Sequence, residues 1–321
     1  MKNFRKNIIL TILFGSLLFF ILRFSAQAKQ FAYLGLSVWF EQMIPSLLPF
    51  MILSSMLIRL NLDVLLVKPV SWLLKGIYQI SDTGSYVLFI GFLCGFPMGA
   101  KTAAMEYEQG KLSEKEAEFL LAFTNNFGPA YFLSFVYGNI YHQIPVWHGL
   151  FFLYGIPLLY GMLLRMSVYR KLPHTVSLPQ KQAKAEKISF SAFLLVLDES
   201  INTGLYQIAM LGGYMIVCNL LVIIPRIIFS SSPTVCSFFH NLLEISGGLI
   251  SIQKLQLTDK TAFIFAHLSL AFTGVSCHLQ TFHILGKSGL SGQKYMLHKL
   301  ILCSITGIFL CLYAIGGFGV K

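Results

Sequence analysis

Nine polar side chains lie inside or beside strongly apolar stretches of the sequence, where they could bind a solute. A polar group left unpaired in an apolar environment costs roughly 2–7 kcal/mol, so each needs a partner. One ammonium, one imidazole, three amides and four hydroxyls favour an anionic or strongly hydrogen-bonding ligand. The predicted solute-binding residues are Lys101, Thr102, Thr124, Asn125, Asn126, Thr273, Ser276, His278 and Gln280.

Each of these side chains also has a purely structural interpretation. Asn125 and Asn126 could cap a broken helix, although two adjacent amides exceed what one cap requires. Lys101 could extend to the membrane interface, and Thr102 could bond its own helix backbone. His278 could simply be satisfied inside a helix bundle. The sequence leaves both interpretations open.

Glycine and proline interrupt the apolar segments beside the polar residues. Non-helical backbone is tolerated at membrane depth only where it is buried in protein or lines a wet cavity. Paired broken helices form the midplane site of many transporters, and a half-helix N-terminus there attracts anions. We expect seven residues to shape these breaks rather than contact solute: Gly95, Pro97, Gly99, Gly128, Pro129, Gly248 and Gly274.

Composition predicts an all-α polytopic membrane protein. Of 321 residues, 55% are hydrophobic and 12% are charged, against about 25% charged in soluble domains. The net charge of +11 is placed in three basic segments rather than on one face, so we expect no nucleic-acid partner. Such segments are cytoplasmic by the positive-inside rule. They are the N-terminus, a central linker, and a loop expected to hold Lys287, Lys294 and Lys299.

The apolar pattern divides the chain into four parts. We predict an N-terminal transmembrane helix or signal-like segment (1–28), a first membrane repeat (29–164), a basic cytoplasmic linker (165–187) and a second membrane repeat (188–321). Spans are expected near 44–60, 144–164, 205–224 and 300–316. An interfacial stretch is expected at 31–41, and an amphipathic helix at 64–80. The apolar run 84–96 is too short to cross a bilayer and predicts a re-entrant hairpin or a half-helix.

The two membrane parts share a short motif. Residues 121–124 recur as 270–273, and Gly99 and Gly248 precede their copies by the same interval. The first part begins outside and the second inside, which predicts two inverted repeats with a site between them.

The sequence lacks the motifs that would indicate catalysis or the binding of a cofactor. There is no HExxH motif, no serine nucleophile elbow and no P-loop. The six cysteines form no CxxC pair. Glu114, Glu116 and Glu118 begin a helix capped by Ser113 and are expected to be solvated. We therefore expect no enzyme activity, no cofactor and no metal.

Three segments together resemble a known family. Residues 95–102, 121–129 and 274–280, supported by 45–50, are similar to the YlbJ-like sporulation integral membrane proteins, within the wider nucleoside-recognition or Gate-domain membrane family. The resemblance implies a protein of spore-forming bacteria, related to concentrative nucleoside carriers, that exports dipicolinate across the outer forespore membrane. The alternatives are a nucleoside-type permease and a non-transporting scaffold. Expected partners are the lipid bilayer, a small anionic solute, and either a second copy or other sporulation membrane proteins.

Overall fold

The computed structural model describes residues 2–172 and 189–316, so most of the predicted linker lies outside the described residues. The described chain forms helices joined by short loops. Five helices are long and apolar enough to cross a membrane: Ser25–Arg59, Val146–Met166, Phe190–Ile228, Asp259–Ser288 and Gly292–Ile315. The all-α polytopic membrane class is therefore confirmed.

The N-terminal region is more continuous than predicted. Helix α1 (Lys2–Arg23) is followed by α2 (Ser25–Val38), a π-helical turn (Trp39–Met43) and α3 (Ile44–Arg59). The stretch at 31–41, for which the sequence predicts an interfacial position, is part of this long helix. The π turn directly precedes Pro45, which has no N–H to continue an α-helical ladder.

A short helical hairpin forms the centre of the first half. After the amphipathic α4 (Asp63–Tyr78), α5 (Asp82–Cys94) begins at Ser81, whose Oγ accepts the Gly84 N–H at 2.9 Å. Residues 95–97 reverse the chain into α6 (Met98–Glu108), which packs against α5. At 13 residues, α5 is shorter than the roughly 20 needed to span a bilayer.

The first half ends with a broken helix and a span. Helix α7 (Glu114–Thr124) is capped by Ser113 as predicted, since the Glu116 N–H donates to the Ser113 Oγ at 3.2 Å. After the break come α8 (Pro129–Tyr131) and a π turn (Phe132–Val136). The span then consists of α9 (Val146–Leu150), a π turn (Phe151–Gly155) and α10 (Ile156–Met166).

Two predictions about charged residues in this half are wrong. Glu116 and Glu118 are buried, not solvated: Glu116 accepts the Ser81 N–H at 2.6 Å, and Glu118 pairs with Lys294 at 2.7 Å. Arg165, assigned to the linker, is buried in α10. Its guanidinium donates to the Tyr78 carbonyl and to the Gln79 side chain, both at 2.8 Å.

The second half repeats the order of helices. It contains α11 (Phe190–Leu221), α12 (Ile223–Ile228), α13 (Pro233–Leu243), α14 (Ile245–Gln253), α15 (Asp259–Phe272), α16 (Val275–Ser288) and α17 (Gly292–Ile315). Helix α13 ends at residue 243 and α5 at residue 94, an interval of 149 that also separates Gly99 from Gly248. The hairpin of α13 and α14 thus follows that of α5 and α6 at the same interval as the shared motif.

Two predicted spans of the second half begin too late. The span placed at 205–224 starts at Phe190 and passes Pro225. This proline, which has no N–H, lies in the first turn of α12, where no N–H donor is needed. The span placed at 300–316 starts at Gly292. The halves interlock, because α6 packs against α16, α7 against α17 and α3 against α11.

Candidate functional site at the helix breaks

The turn of the first hairpin lies directly against the break of α7. Gly95 has φ +77°, and a Cβ added there would stand 2.0 Å from the Gly128 backbone nitrogen. The sequence analysis placed Gly99 at the break, but this residue lies inside α6. It is a close-approach residue instead, since a Cβ on Gly99 would stand 2.6 Å from the Thr124 carbonyl oxygen. The hairpin and the break can therefore meet only through backbone.

Asn125 ties this break to three other helices. Its Oδ1 accepts the Ala100 N–H at 3.4 Å, so it caps the N-terminus of α6 from another helix. Its Nδ2 donates to the Thr281 Oγ1 at 3.2 Å on α16 and to the Tyr295 hydroxyl at 3.4 Å on α17. The side chain is 1% exposed. Asn125 thus has the structural role that the sequence left open.

Asn126 is held by a lysine that the sequence analysis misplaced. Its Nδ2 donates to the Phe123 carbonyl at 2.6 Å, and its Oδ1 accepts from the Lys299 Nζ at 3.3 Å. The same ammonium donates to the Asn125 carbonyl at 3.2 Å. Lys299 is therefore not a loop residue but a buried residue two turns into α17. The serine that caps α17, Ser291, was the available signal.

The turn of the second hairpin is built around Glu244, another residue that sequence reasoning missed. Its carboxylate accepts the Ser246 N–H at 3.0 Å, the Gly247 N–H at 2.7 Å and the Asn219 Nδ2 at 3.1 Å. Glu244 therefore caps α14. Gly248 lies inside α14 and not at the break, and a Cβ there would stand 2.5 Å from the Asn241 Cα.

Helix α16 begins at the break of the second half. Thr273 and Gly274 have φ values of +74° and +82°, and α16 starts at Val275 without a side-chain cap. Among its predicted site residues, His278 is bound through Nδ1 to the Tyr295 hydroxyl at 3.1 Å. Tyr295 thus links α16 to Asn125, because the same hydroxyl contacts both.

Residues of both breaks line one pocket, whose empty volume of about 420 Å³ includes space open to the outside. Most of its wall is apolar, and the polar members come from Tyr131, Glu244 and Ser276 among others. Of the predicted residues, Ser276 and Gly128 line it. The complete lining is Met43, Ser46, Leu47, Phe96, Phe127, Gly128, Tyr131, Leu211, Met215, Glu244, Ile245, Ser246, Ser276 and Cys277. Asn126 lines a separate cavity of about 240 Å³.

Six of the nine predicted solute-binding residues carry a buried polar atom that makes no hydrogen bond within the described residues. Native proteins leave few such atoms, and each calls for an explanation. Five of these residues lie on α6 and α16, which pack against each other. The atoms are Lys101 Nζ, Thr102 Oγ1, Thr124 Oγ1, Ser276 Oγ, His278 Nε2 and Gln280 Oε1. This concentration of hydrogen-bonding capacity marks the interface between the hairpin of one half and the broken helix of the other.

The comparisons with known proteins agree with the membrane architecture. No family model matches the chain, and no solved structure matches it. The sporulation integral membrane protein YlbJ of Bacillus subtilis (strain 168) is 24% identical over 311 residues, covering 87% of this chain and 75% of the relative. Together with the five candidate spans, this match supports assignment of the chain to a YlbJ-like family of sporulation integral membrane proteins.

Proposed function

We propose that this protein is a carrier that moves a small anionic solute across a membrane, and that it is not an enzyme. One observation supports this proposal most directly. One pocket is lined by break residues of both halves, and broken helices meeting at one cavity are how many transporters form their binding site.

The N-terminus of α16 provides the reason to expect an anion. Helix N-termini carry free N–H groups and partial positive charge. Those of α6 and α14 are already capped, by Asn125 and Glu244. Within the described residues, that of α16 has no side-chain cap, and Ser276 in its first turn is fully buried, lines the pocket and has a hydroxyl without a hydrogen-bond partner. A carboxylate of the solute would accept hydrogen bonds there.

Dipicolinate, the solute that the family resemblance implies, matches the chemistry of both parts of this pocket. The apolar wall formed by residues such as Phe96, Phe127 and Met215 suits its aromatic ring. The α16 N-terminus suits one of its carboxylates. We propose that the protein exports this solute across the outer forespore membrane. A nucleoside would use the same aromatic wall but would bring no charge to the helix terminus.

We further propose that the two halves are inverted repeats, with each short hairpin re-entrant and the N-terminus and central linker cytoplasmic. The recurring helix order at an interval of 149 residues supports the repeat. In inverted repeats, Lys115 and Thr261 at the starts of α7 and α15 lie on opposite faces. Cysteines placed there, labelled in intact cells with an impermeant reagent, should react from opposite sides; labelling from one side would contradict the inversion.

The function is tested by uptake of labelled dipicolinate, with a labelled nucleoside in parallel, into proteoliposomes. We expect saturable dipicolinate flux that falls roughly tenfold or more in Ser276→Ala, since a hydrogen bond to a charged group contributes about 1.5–3 kcal/mol. Ser304→Ala is the matched control, because that exposed hydroxyl on α17 bonds only its own helix, to the Leu300 carbonyl at 2.9 Å.

Three other outcomes would change the assignment. Nucleoside flux without dipicolinate flux would favour the nucleoside permease. Equal dipicolinate flux in wild type and Ser276→Ala would show that the solute does not bind at the α16 N-terminus. Correctly inserted protein with no flux of either solute would favour the scaffold.

A further inference from the structure

The break of α7 exposes the negative end of a half-helix to an ammonium from another helix. Helix α7 ends at Thr124, and Asn125 has non-helical angles, φ −92° and ψ +71°. The last carbonyls of a helix lack intrahelical donors and carry partial negative charge. Lys299, which is 3% exposed, donates to the Asn125 carbonyl at 3.2 Å and to the Asn126 Oδ1 at 3.3 Å.

Both acceptors of the Lys299 ammonium are uncharged oxygens rather than carboxylates. Burying a cation is expensive, so the charge must be compensated by these oxygens and by the end of the α7 dipole. Carbonyl and amide oxygens are also the ligands that hard cations take from proteins. In broken-helix transporters, unwound carbonyls and half-helix C-terminal ends coordinate sodium. The Lys299 Nζ stands where such an ion would stand.

We infer that Asn125 O and Asn126 Oδ1 form a monovalent-cation site at the end of α7, which the ammonium of Lys299 fills as a built-in cation. The protein therefore needs no free sodium or potassium to hold this break in place. Shortening Lys299 should convert the position into a site for a free ion. The inference concerns the stability of the break and holds whether or not the protein transports a solute.

The test compares thermal melting of purified protein in sodium, potassium and choline chloride at equal ionic strength. Lys299→Ala removes the ammonium and leaves room for an ion, whereas Lys299→Met removes the charge and fills the space. In choline we expect Lys299→Ala to melt lowest. In sodium or potassium it should recover by several degrees and rise above Lys299→Met, so that the order of the two variants reverses.

Two controls separate this effect from general salt effects. Wild type should melt at the same temperature in all three salts. Ser304→Ala, on the same helix, loses only an exposed hydroxyl that bonds the Leu300 carbonyl at 2.9 Å, and it should also respond equally to the three salts.

The proposal is overturned by any of three results. One is a Lys299→Ala variant that melts identically in choline and in sodium or potassium. Another is Lys299→Met at or above Lys299→Ala in every salt, which is the behaviour of a lysine that only packs. The third is failure of Lys299→Ala to fold in any salt while Lys299→Met folds, since a free cation should have restored it.

Discussion

Replacing Gly99 by alanine should separate the first hairpin from the α7 break. The added Cβ would stand 2.6 Å from the Thr124 carbonyl oxygen and 3.0 Å from its carbon, whereas ordinary contact begins at 3.4 Å. The two backbones must therefore move apart by about 0.8 Å. Because the obstructing atoms are backbone, no side-chain rotation relieves the contact.

The size of the effect follows from a comparison with Gly213→Ala. Gly213 lies inside α11, and no described atom lies within 4 Å of a Cβ added there. Both substitutions gain up to about 1 kcal/mol of helix propensity, so this gain cancels in the comparison. Overpacking typically costs about 1–3 kcal/mol. Taking about 2–3 °C per kcal/mol for a large domain, Gly99→Ala should melt several degrees below Gly213→Ala.

The assay is thermal unfolding of the two purified variants in the same detergent, followed by a probe of tertiary structure. Dipicolinate uptake in proteoliposomes adds a second measurement, because the displaced break includes the cavity residues Phe127 and Gly128. A Gly99→Ala protein that melts at or above Gly213→Ala would refute the close approach of α6 to the break.

Three further predictions test contacts around this centre. Arg165→Met should lower the free energy of unfolding by about 1–3 kcal/mol, because the buried acceptors of Arg165 lose their donor. Arg170 is exposed, so Arg170→Met should change this free energy by less than about 0.5 kcal/mol. Denaturant melts of the two variants make the comparison. Lys294→Ala leaves the buried Glu118 carboxylate without its ion-pair partner and should therefore cost about 1–3 kcal/mol in the same melts. Asn125→Ala should cost at least about 1 kcal/mol by uncapping α6 and should lower solute flux together with stability, so that unchanged melting would contradict the cap.

The membrane class and several helix boundaries could be predicted from the sequence because they depend on local information. Apolar length sets whether a helix can span a bilayer. Serine or threonine before a helix satisfies free N–H groups, so Ser113 and Thr258 mark the starts of α7 and α15. The breaks at Gly95 and Gly274 could also be predicted from local sequence, since a backbone with positive φ favours glycine.

The partners of the polar residues could not be predicted in this way. Asn125 binds Thr281 and Tyr295, which are 156 and 170 residues away in the chain. Lys299 was expected in a basic loop because a charge count contains no information about depth or contacts. Only the packing of α17 against α7 brings it to the break.

The sequence by itself determined that this is a helical membrane protein with two interrupted halves, because hydropathy, capping and glycine conformation act over a few neighbouring residues. The tertiary structure decided how each break is satisfied. It assigned Asn125 and Glu244 as caps of α6 and α14, left the α16 N-terminus without a side-chain cap, and placed a buried lysine at the end of α7. Glu244 caps α14 locally, whereas the bonds between Asn125 and α16 and α17 and those of Lys299 are long-range, and their geometry exists only when the halves pack together.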